Sequence, residues 1–354
     1  MFASWPLRKA KGSPLAQGVP PGGVATKSGA GRGRIDNANG KRANPEALLR
    51  RLEWTVIRRL DGLLQGDYRT LLRGFGLDLA DLREYQTHDD VRYIDWNVTA
   101  RLQIPHVREF QEDREIAAWF LLDLSGSVDF GSQQVRKRAV SAEIVAVLAR
   151  LLTRRGNRVG AVLYGDDANQ VIPARGGRRQ VLHLLERMLR IGTRADVQTA
   201  GYARGRETDL GALLEQAQQV MKRRSVVFVV SDFISTPGWG MGLALLARRH
   251  EIVAVRLYDP MEQELPDLGL IVLQDAETGE QIFVDTHDRG FRKRFAQAAE
   301  RRETALRAAL VEAGVDCLEV ATDDDLGEAL LRFTGLRKMR SRLAGGGVHK
   351  PVVG

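Results

Sequence analysis

The 354-residue sequence has a single cysteine, Cys317, and therefore no internal disulfide. Its surroundings, VDCLEV, are typical of a buried strand, and one unpaired thiol fits a reducing compartment. No run of about 18 apolar residues occurs, so no membrane-spanning helix is expected. The first residues, MFASWPLRKAKG, lack the apolar core of a secretory signal. These absences predict a cytoplasmic protein.

Several signatures of enzyme chemistry are also missing. No G-x-x-x-x-G-K-[ST] segment is present, so ATP hydrolysis is not expected from this chain. The six histidines are scattered and never form H-E-x-x-H, which disfavours a zinc hydrolase. The serines at 125 and 127 do not stand in G-x-S-x-G, which argues against a serine hydrolase. We therefore expect a protein that is not an enzyme.

The formal charge of +8 comes from one end of the chain. Residues 1–51 hold ten Lys or Arg and two acidic residues, and the remainder is balanced. Residues 1–44 are rich in Gly, Pro, Ala and basic residues, which predicts a disordered basic tail. Binding of nucleic acid or an anionic membrane by this tail stays open as an alternative function.

The pattern from Pro45 onward predicts three further regions. Leucines and valines at three- and four-residue spacing indicate a helix from Pro45, followed by a polar accessory segment to residue 114. Residues 115–335 alternate strands and helices, which predicts an α/β fold with a doubly wound, mostly parallel sheet. A hairpin insert is expected near 269–286, and a flexible C-terminal tail over 336–354.

Polar side chains follow two unbroken apolar strands of the predicted sheet. WFLLD ends at Asp123 and continues with Ser125 and Ser127, VFVVSD ends at Asp232, and Thr208 opens a helix between them. Ligands of parallel sheets gather at the carboxyl ends of the strands. Because Mg²⁺ prefers hydroxyl, water and carboxylate oxygens, these five residues form a candidate magnesium site, with Mn²⁺ or Ca²⁺ as alternatives.

The DLSGS, Thr and Asp loops resemble the metal-ion-dependent adhesion site of von Willebrand factor A domains, which are Rossmann-like. More narrowly, the chain resembles the bacterial domain of unknown function 58 family, which adds an upstream segment similar to REYQTHDDVRYIDWNVTAR. That small, β-rich accessory segment supplies Arg83, Glu84, Tyr85, Asp89, Asp90, Arg92, Ile94, Asp95, Trp96, Ala100 and Arg101.

The upstream charged residues admit two interpretations. They hold the segment to the main domain by salt bridges, or they form a surface for a partner. In the first interpretation, which we favour, Tyr93 and Trp96 flank Asp95 and bury apolar area beside it.

The resemblance implies a non-enzymatic, metal-dependent protein-interaction module. In such domains a partner's Glu or Asp completes the coordination of the metal, and genes of the family commonly lie beside those of MoxR-type AAA+ ATPases. The implied role is chaperone-like assembly or maturation with such an ATPase. An Mg²⁺-dependent phosphohydrolase of haloacid dehalogenase type is a weaker alternative, because Ser125 stands where that chemistry needs a second acid.

Overall fold

The structure is a computed structural model, and ten segments of the chain are described. They are residues 7–9, 44–63, 82–86, 91, 94–108, 117–132, 135–165, 170–198, 208–275 and 281–345. Asp89, Asp90, Arg92 and Tyr93 of the upstream segment, and most of the predicted tails, lie outside them.

The described strands form three sheets. In chain order they are β1 (Leu7–Lys9), β2 (Leu82–Glu84), β3 (His106–Arg108), β4 (Ala117–Asp123), β5 (Arg158–Tyr164), β6 (Gln170–Arg175), β7 (Val226–Ser231), β8 (Glu251–Tyr258), β9 (Leu270–Asp275), β10 (Gln281–Asp285) and β11 (Asp316–Ala321). The central sheet has the order β11-β8-β7-β4-β5-β6, and only β6 is antiparallel to its neighbour. Two small antiparallel sheets, β1-β9-β10 and β2-β3, complete the set.

Helices cover both faces of the central sheet. They are α1 (Pro45–Leu52), α2 (Arg58–Leu63), α3 (Trp96–Leu102), α4 (Lys137–Arg154), α5 (Gly177–Gln198), α6 (Leu210–Val220), α7 (Trp239–Ala247), α8 (Arg289–Glu312) and α9 (Leu326–Gly345). A π-helical turn, Glu53–Ile57, joins α1 to α2, and 3-10 turns occupy Gly126–Asp129 and Pro260–Glu262. This arrangement confirms the predicted α/β fold.

Alternation of side chains along the strands divides the core into two layers. Phe120 and Leu122 of β4 lie in a layer with α1, α4, α5 and α9, and Phe120 stacks on Phe228 with ring centroids 5.2 Å apart. Trp119 and Leu121 lie in the opposite layer, with α6, α7 and α8. Because successive side chains of a strand point to opposite faces, an apolar run such as WFLL supplies both layers at once.

Two described segments near the chain ends differ from the predictions. The C-terminal tail was expected to be flexible from residue 336, but α9 continues to Gly345 and is fixed by Arg337 and Arg340, which pair with Asp316. In the predicted disordered tail, β1 pairs with β9, since the edge of a hairpin presents unpaired backbone groups. Strands β9 and β10 pair antiparallel within the segment predicted as a hairpin insert.

Candidate metal centre

The loop after β4 carries three of the predicted ligands. Oδ1 of Asp123 accepts a hydrogen bond from the N–H of Ser125 at 3.0 Å, and the Oγ atoms of Ser125 and Ser127 lie 3.0 Å apart. Oδ2 of Asp123 accepts from the hydroxyl of Ser231 at 2.6 Å, and Ser231 ends the neighbouring strand β7. All four side chains are buried. The tight turn after β4 thus brings the carboxylate of Asp123 together with the hydroxyls of Ser125 and Ser127.

The other two predicted ligands, Thr208 and Asp232, lie on loops that hydrogen bonds join. Asp232 directly follows β7, which pairs with β4 in the sheet. The carbonyl oxygen of Thr208 accepts from the N–H of Thr236 and from the hydroxyl of Ser235, each at 2.9 Å. The loop before α6 is therefore held against the loop after β7, and both Thr208 and Asp232 are buried.

A fully buried lysine lies against Asp232. The Nζ atom of Lys137 is 2.6 Å from Oδ2 of Asp232 and 2.8 Å from Oε1 of Glu262. Burial alone would lower the pKa of Lys137, but the charges of Asp232 and Glu262 outweigh burial and raise that pKa above its usual value. Lys137 is therefore a buried ammonium ion between two carboxylates.

The acids of this region outnumber their one buried cation. Burial, and then the charge of Asp232, raise the pKa of Asp123 to about 6, while hydrogen bonds from Ser125 and Ser231 lower it. Burial also raises the pKa of Glu262, against the opposing charge of Lys137. Three buried carboxyl groups, those of Asp123, Asp232 and Glu262, therefore share one buried ammonium.

A fourth buried acid, Asp259, is satisfied by local donors. Its Oδ2 accepts from the N–H of Ser132 and the hydroxyl of Thr322, both at 2.8 Å, and its Oδ1 accepts from the N–H of Met261. The N–H of Asp259 in turn donates to Oε2 of Glu262, which completes a capping box. Asp259 therefore fixes Glu262 beside the lysine.

The donor set suits a small, hard cation. Mg²⁺ prefers six oxygen ligands, and this edge of the sheet offers the carboxylates of Asp123 and Asp232 with the hydroxyls of Ser125, Ser127 and Thr208. The carboxylate oxygens keep lone pairs beyond the hydrogen bonds given above. Within the described residues, no three His, Cys, Asp or Glu side chains form a group that could hold a metal, so the hydroxyls are essential to such a centre.

Comparison with known proteins assigns the chain to a family. A family model described as "Protein of unknown function DUF58" matches residues 81–305. The chain belongs to the DUF58 family. Uncharacterized protein Rv1480 of Mycobacterium tuberculosis is 36% identical to this DUF58 protein over 299 residues, which are 84% of this chain and 91% of the relative. Uncharacterized protein MAV169 of Mycobacterium avium is 34% identical over 176 residues, 49% of this chain and 97% of the relative.

Solved structures similar to this DUF58 chain match it at low sequence identity and low TM-score. BatB from Bacteroides thetaiotaomicron covers 64% of this chain and 99% of its own length, with a TM-score of 0.37 and 13% identity. The SpRpn10 VWA domain covers 61% of this chain and 93% of its own, with a TM-score of 0.34 and 13% identity. Among the helices described for the DUF58 chain, none has the length and apolar character required to cross a bilayer.

The upstream DUF58 motif is described in part. Arg83 and Glu84 lie on β2, which pairs with β3, and the N–H of Tyr85 donates to the carbonyl oxygen of Pro105 at 2.8 Å. Arg101 lies exposed in the last turn of α3. The described part of the motif therefore supplies one strand of a two-stranded sheet and the helix that lies between the two strands along the chain.

One expectation about this motif is wrong. Asp95 is buried, and its Oδ1 accepts from the N–H of Val98 at 3.3 Å, in the first turn of α3. Trp96 was expected to bury its ring beside Asp95, but its side chain is 69% exposed. Adjacent residues at a helix start point in different directions, so turning Asp95 inward leaves Trp96 outside.

Sequence reasoning missed three side chains of the centre. Ser231 stands directly before Asp232 in VVSDF. Its position at a strand end, next to a predicted ligand, could have identified it. Glu262 ends DPME, whose D-x-x-E spacing is that of a capping box. Lys137 stands in the basic run VRKRAV, which is indistinguishable from a solvated helix start, so no signal in the sequence indicated its burial.

Proposed function

We propose that this DUF58 protein is a non-enzymatic, metal-dependent protein-interaction module of the von Willebrand factor A type. Its Mg²⁺ ligands would be Asp123, Ser125, Ser127, Thr208 and Asp232. The observation that supports the proposal is a cluster of three buried acids that share one ammonium and lie beside buried hydroxyl side chains. Uncompensated charge is costly to bury, so the folded chain favours a divalent cation there.

The metal centre would act through the partner's chemistry. A bound Mg²⁺ would offer a coordination position to an Asp or Glu side chain of another protein. The family resemblance supports a MoxR-type AAA+ ATPase as that partner, in chaperone-like assembly or maturation. The chain has no P-loop, so ATP hydrolysis would belong to the partner. The single cysteine supports a cytoplasmic setting.

Calorimetric titration of Mg²⁺ into chelator-treated protein tests the metal site. We expect saturable binding that is lost in Asp123→Asn, because this change removes one buried charge and keeps the side-chain shape. Asp285→Asn is the matched control, since Asp285 also ends a strand but is exposed. Equal binding by the wild type and Asp123→Asn would contradict the proposed ligand set.

Capture of a purified MoxR-type ATPase by the immobilised full chain tests the interaction. Capture should require Mg²⁺, and Ser125→Ala should abolish it while the circular dichroism spectrum stays unchanged. Capture that persists with chelator or in Ser125→Ala would contradict metal-dependent binding. Steady release of phosphate from a generic phosphoester by the chain alone would contradict a non-enzymatic role.

A further inference from the structure

A groove begins at the candidate metal centre and runs between α7 and α8. Asp232 and Glu262 line one end of it, and its volume is about 640 Å³. The floor is formed by the carboxyl ends of β7 and β8, and the walls are formed by the two helices. Volumes of this size are typical of pockets that enclose a ligand as large as a few side chains. We call this cavity the α7–α8 groove.

The walls of the α7–α8 groove are mainly apolar. Phe233 and Trp239 lie on one side, with their ring centroids 5.3 Å apart, and Leu306 with a series of alanines of α8 lies on the other. Met241 stands at the rim with 76% of its side chain exposed. An exposed methionine beside aromatic side chains is typical of surfaces that bind apolar groups of a partner.

Two polar atoms of residues that line the groove have no hydrogen-bond partner among the described residues. Arg256, which is 5% exposed, pairs with Glu303 and Glu319 through its terminal nitrogens, but its Nε–H donates to nothing. Oε2 of Glu303 accepts from nothing. Both atoms are fully buried, so they belong to the wall of the groove and offer no hydrogen bond to an occupant.

The charges along the groove are compensated everywhere except at the metal end. Arg256 neutralises Glu303, and Arg302 and Glu312 contribute one charge of each sign. At Asp232 the cluster of buried acids described above would hold Mg²⁺, whose remaining coordination position favours an acidic side chain. With Mg²⁺ bound, the groove therefore suits a ligand that has an acidic group at one end and apolar groups along its length.

We propose that the α7–α8 groove binds a short segment of a partner protein in which an acidic residue is followed by bulky apolar residues. The acidic side chain reaches the metal centre, and the apolar side chains lie against Trp239 and Leu306. This inference rests on the proposed function, because the metal receives the acidic side chain.

A substitution that fills the groove with a large side chain tests the inference. Ala305 and Ala308 are both exposed on α8, but only Ala305 lines the groove. Ala305→Trp therefore fills the groove, and Ala308→Trp is the matched control. The probe is a phage-displayed library of short random peptides, selected on the full chain in Mg²⁺ and eluted with acid.

We expect the recovered peptides to share an Asp or Glu followed closely by large apolar residues. Ala305→Trp should weaken their binding at least about tenfold, as loss of a central apolar contact does, and Ala308→Trp should leave it unchanged. Equal binding by both variants, recovery of acidic peptides without apolar residues, or recovery of no peptide would each overturn the inference.

The same experiment separates this inference from the proposed function. Peptides whose binding requires Mg²⁺ and Ser125 but is unchanged by Ala305→Trp would contradict the groove as the binding site. They would leave the proposed metal-dependent interaction intact. Peptides that bind equally with chelator and to Ser125→Ala would overturn both. A dimer of the wild type that Ala305→Trp abolishes would identify a second copy as occupant, against a partner segment.

Discussion

We call the two ends of the strands in the central sheet its carboxyl edge and its amino edge. Each of them holds a cation between two acids. At the carboxyl edge, Nζ of Lys137 lies between Asp232 and Glu262. At the amino edge, Nη2 and Nε of Arg337 lie 2.7 Å from Oε1 of Glu251 and from Oδ2 of Asp316, the first residues of β8 and β11. The same local arrangement of charges therefore occurs twice in one sheet.

The two edges differ in charge balance and in burial. At the amino edge, Arg340 adds a second cation, 2.5 Å from Asp316, so two acids meet two guanidinium groups, and the acids are 20–24% exposed. At the carboxyl edge, Asp123 adds a third buried acid instead. A cluster with equal numbers of acids and cations needs no further ligand, whereas three buried acids that share one ammonium favour a bound cation. The amino edge is thus balanced in charge, and the carboxyl edge is where we propose the metal site.

The largest predicted effect is at the carboxyl edge. We expect Lys137→Ala to lower the free energy of unfolding by about 3–5 kcal/mol, because it leaves two buried carboxylates without their cation. Urea unfolding followed by circular dichroism, with chelator present, measures this change. Added Mg²⁺ should restore more stability to Lys137→Ala than to the wild type, since the variant lacks the ammonium that pairs with Asp232 and Glu262.

Lys293→Ala is the control for this variant. Lys293 is exposed on α8, so its removal should change stability by no more than about 0.5 kcal/mol. If Lys137→Ala were as mild as the control, Lys137 would not be the buried counter-ion of Asp232 and Glu262.

We expect a smaller loss of folding stability from a substitution at the amino edge. Arg337→Ala removes two charge-assisted hydrogen bonds, but Arg340 remains beside Asp316 and water reaches both acids, so we expect a loss of about 1–3 kcal/mol. Chemical denaturation with and without Mg²⁺ measures it, and Mg²⁺ should stabilise Arg337→Ala and the wild type equally.

Arg294→Ala is the matched control. Arg294 is 70% exposed and its ion pair with Asp288 is long, at 3.7 Å, so the pair should contribute little to stability. A stronger response of Arg337→Ala to Mg²⁺ than that of the wild type would mean that the two edges are coupled. It would remove the distinction between a structural and a metal-binding edge.

This contrast also explains what the sequence could predict. Apolar runs ending in Asp123 and Asp232 predicted two buried strands and the acids at their carboxyl ends, because strand burial is local to the run. Lys137 and Glu262 are 125 residues apart, and their contact depends on how α4 packs against the turn after β8. Periodicity contains no such information, so the acids were predictable and their buried counter-ion was not.

The same limit applies to the chain ends. A basic, polar sequence after residue 335 suggested a flexible tail, yet the arginines there pair with acids at the starts of β8 and β11. Charge alone does not distinguish a solvated tail from a helix whose charges meet partners at a sheet edge.

The smallest predicted effect uses Cys317, the neighbour of Asp316, as a reporter of the amino edge. Burial, and then the charge of Glu319, raise the pKa of Cys317 from its ordinary 9.0 to about 12. Above pH 9 the unfolded chain therefore loses this proton while the folded chain keeps it, so folding stability falls as pH rises toward 12. Relative to Cys317→Ala, the wild type should lose about 1 kcal/mol between pH 7 and pH 9.5.

This pH dependence distinguishes the two edges in one measurement series. Arg337→Ala should shrink the difference between the Cys317 and Cys317→Ala backgrounds, because opening the amino edge admits water to the thiol and lowers its pKa. Lys137→Ala acts at the opposite end of the strands and should leave that difference unchanged. Parallel pH profiles for the wild type and Cys317→Ala would show that the thiol is hydrated. An equal shrinkage in both charge variants would show that the sheet loosens as a unit, which would contradict independent edges.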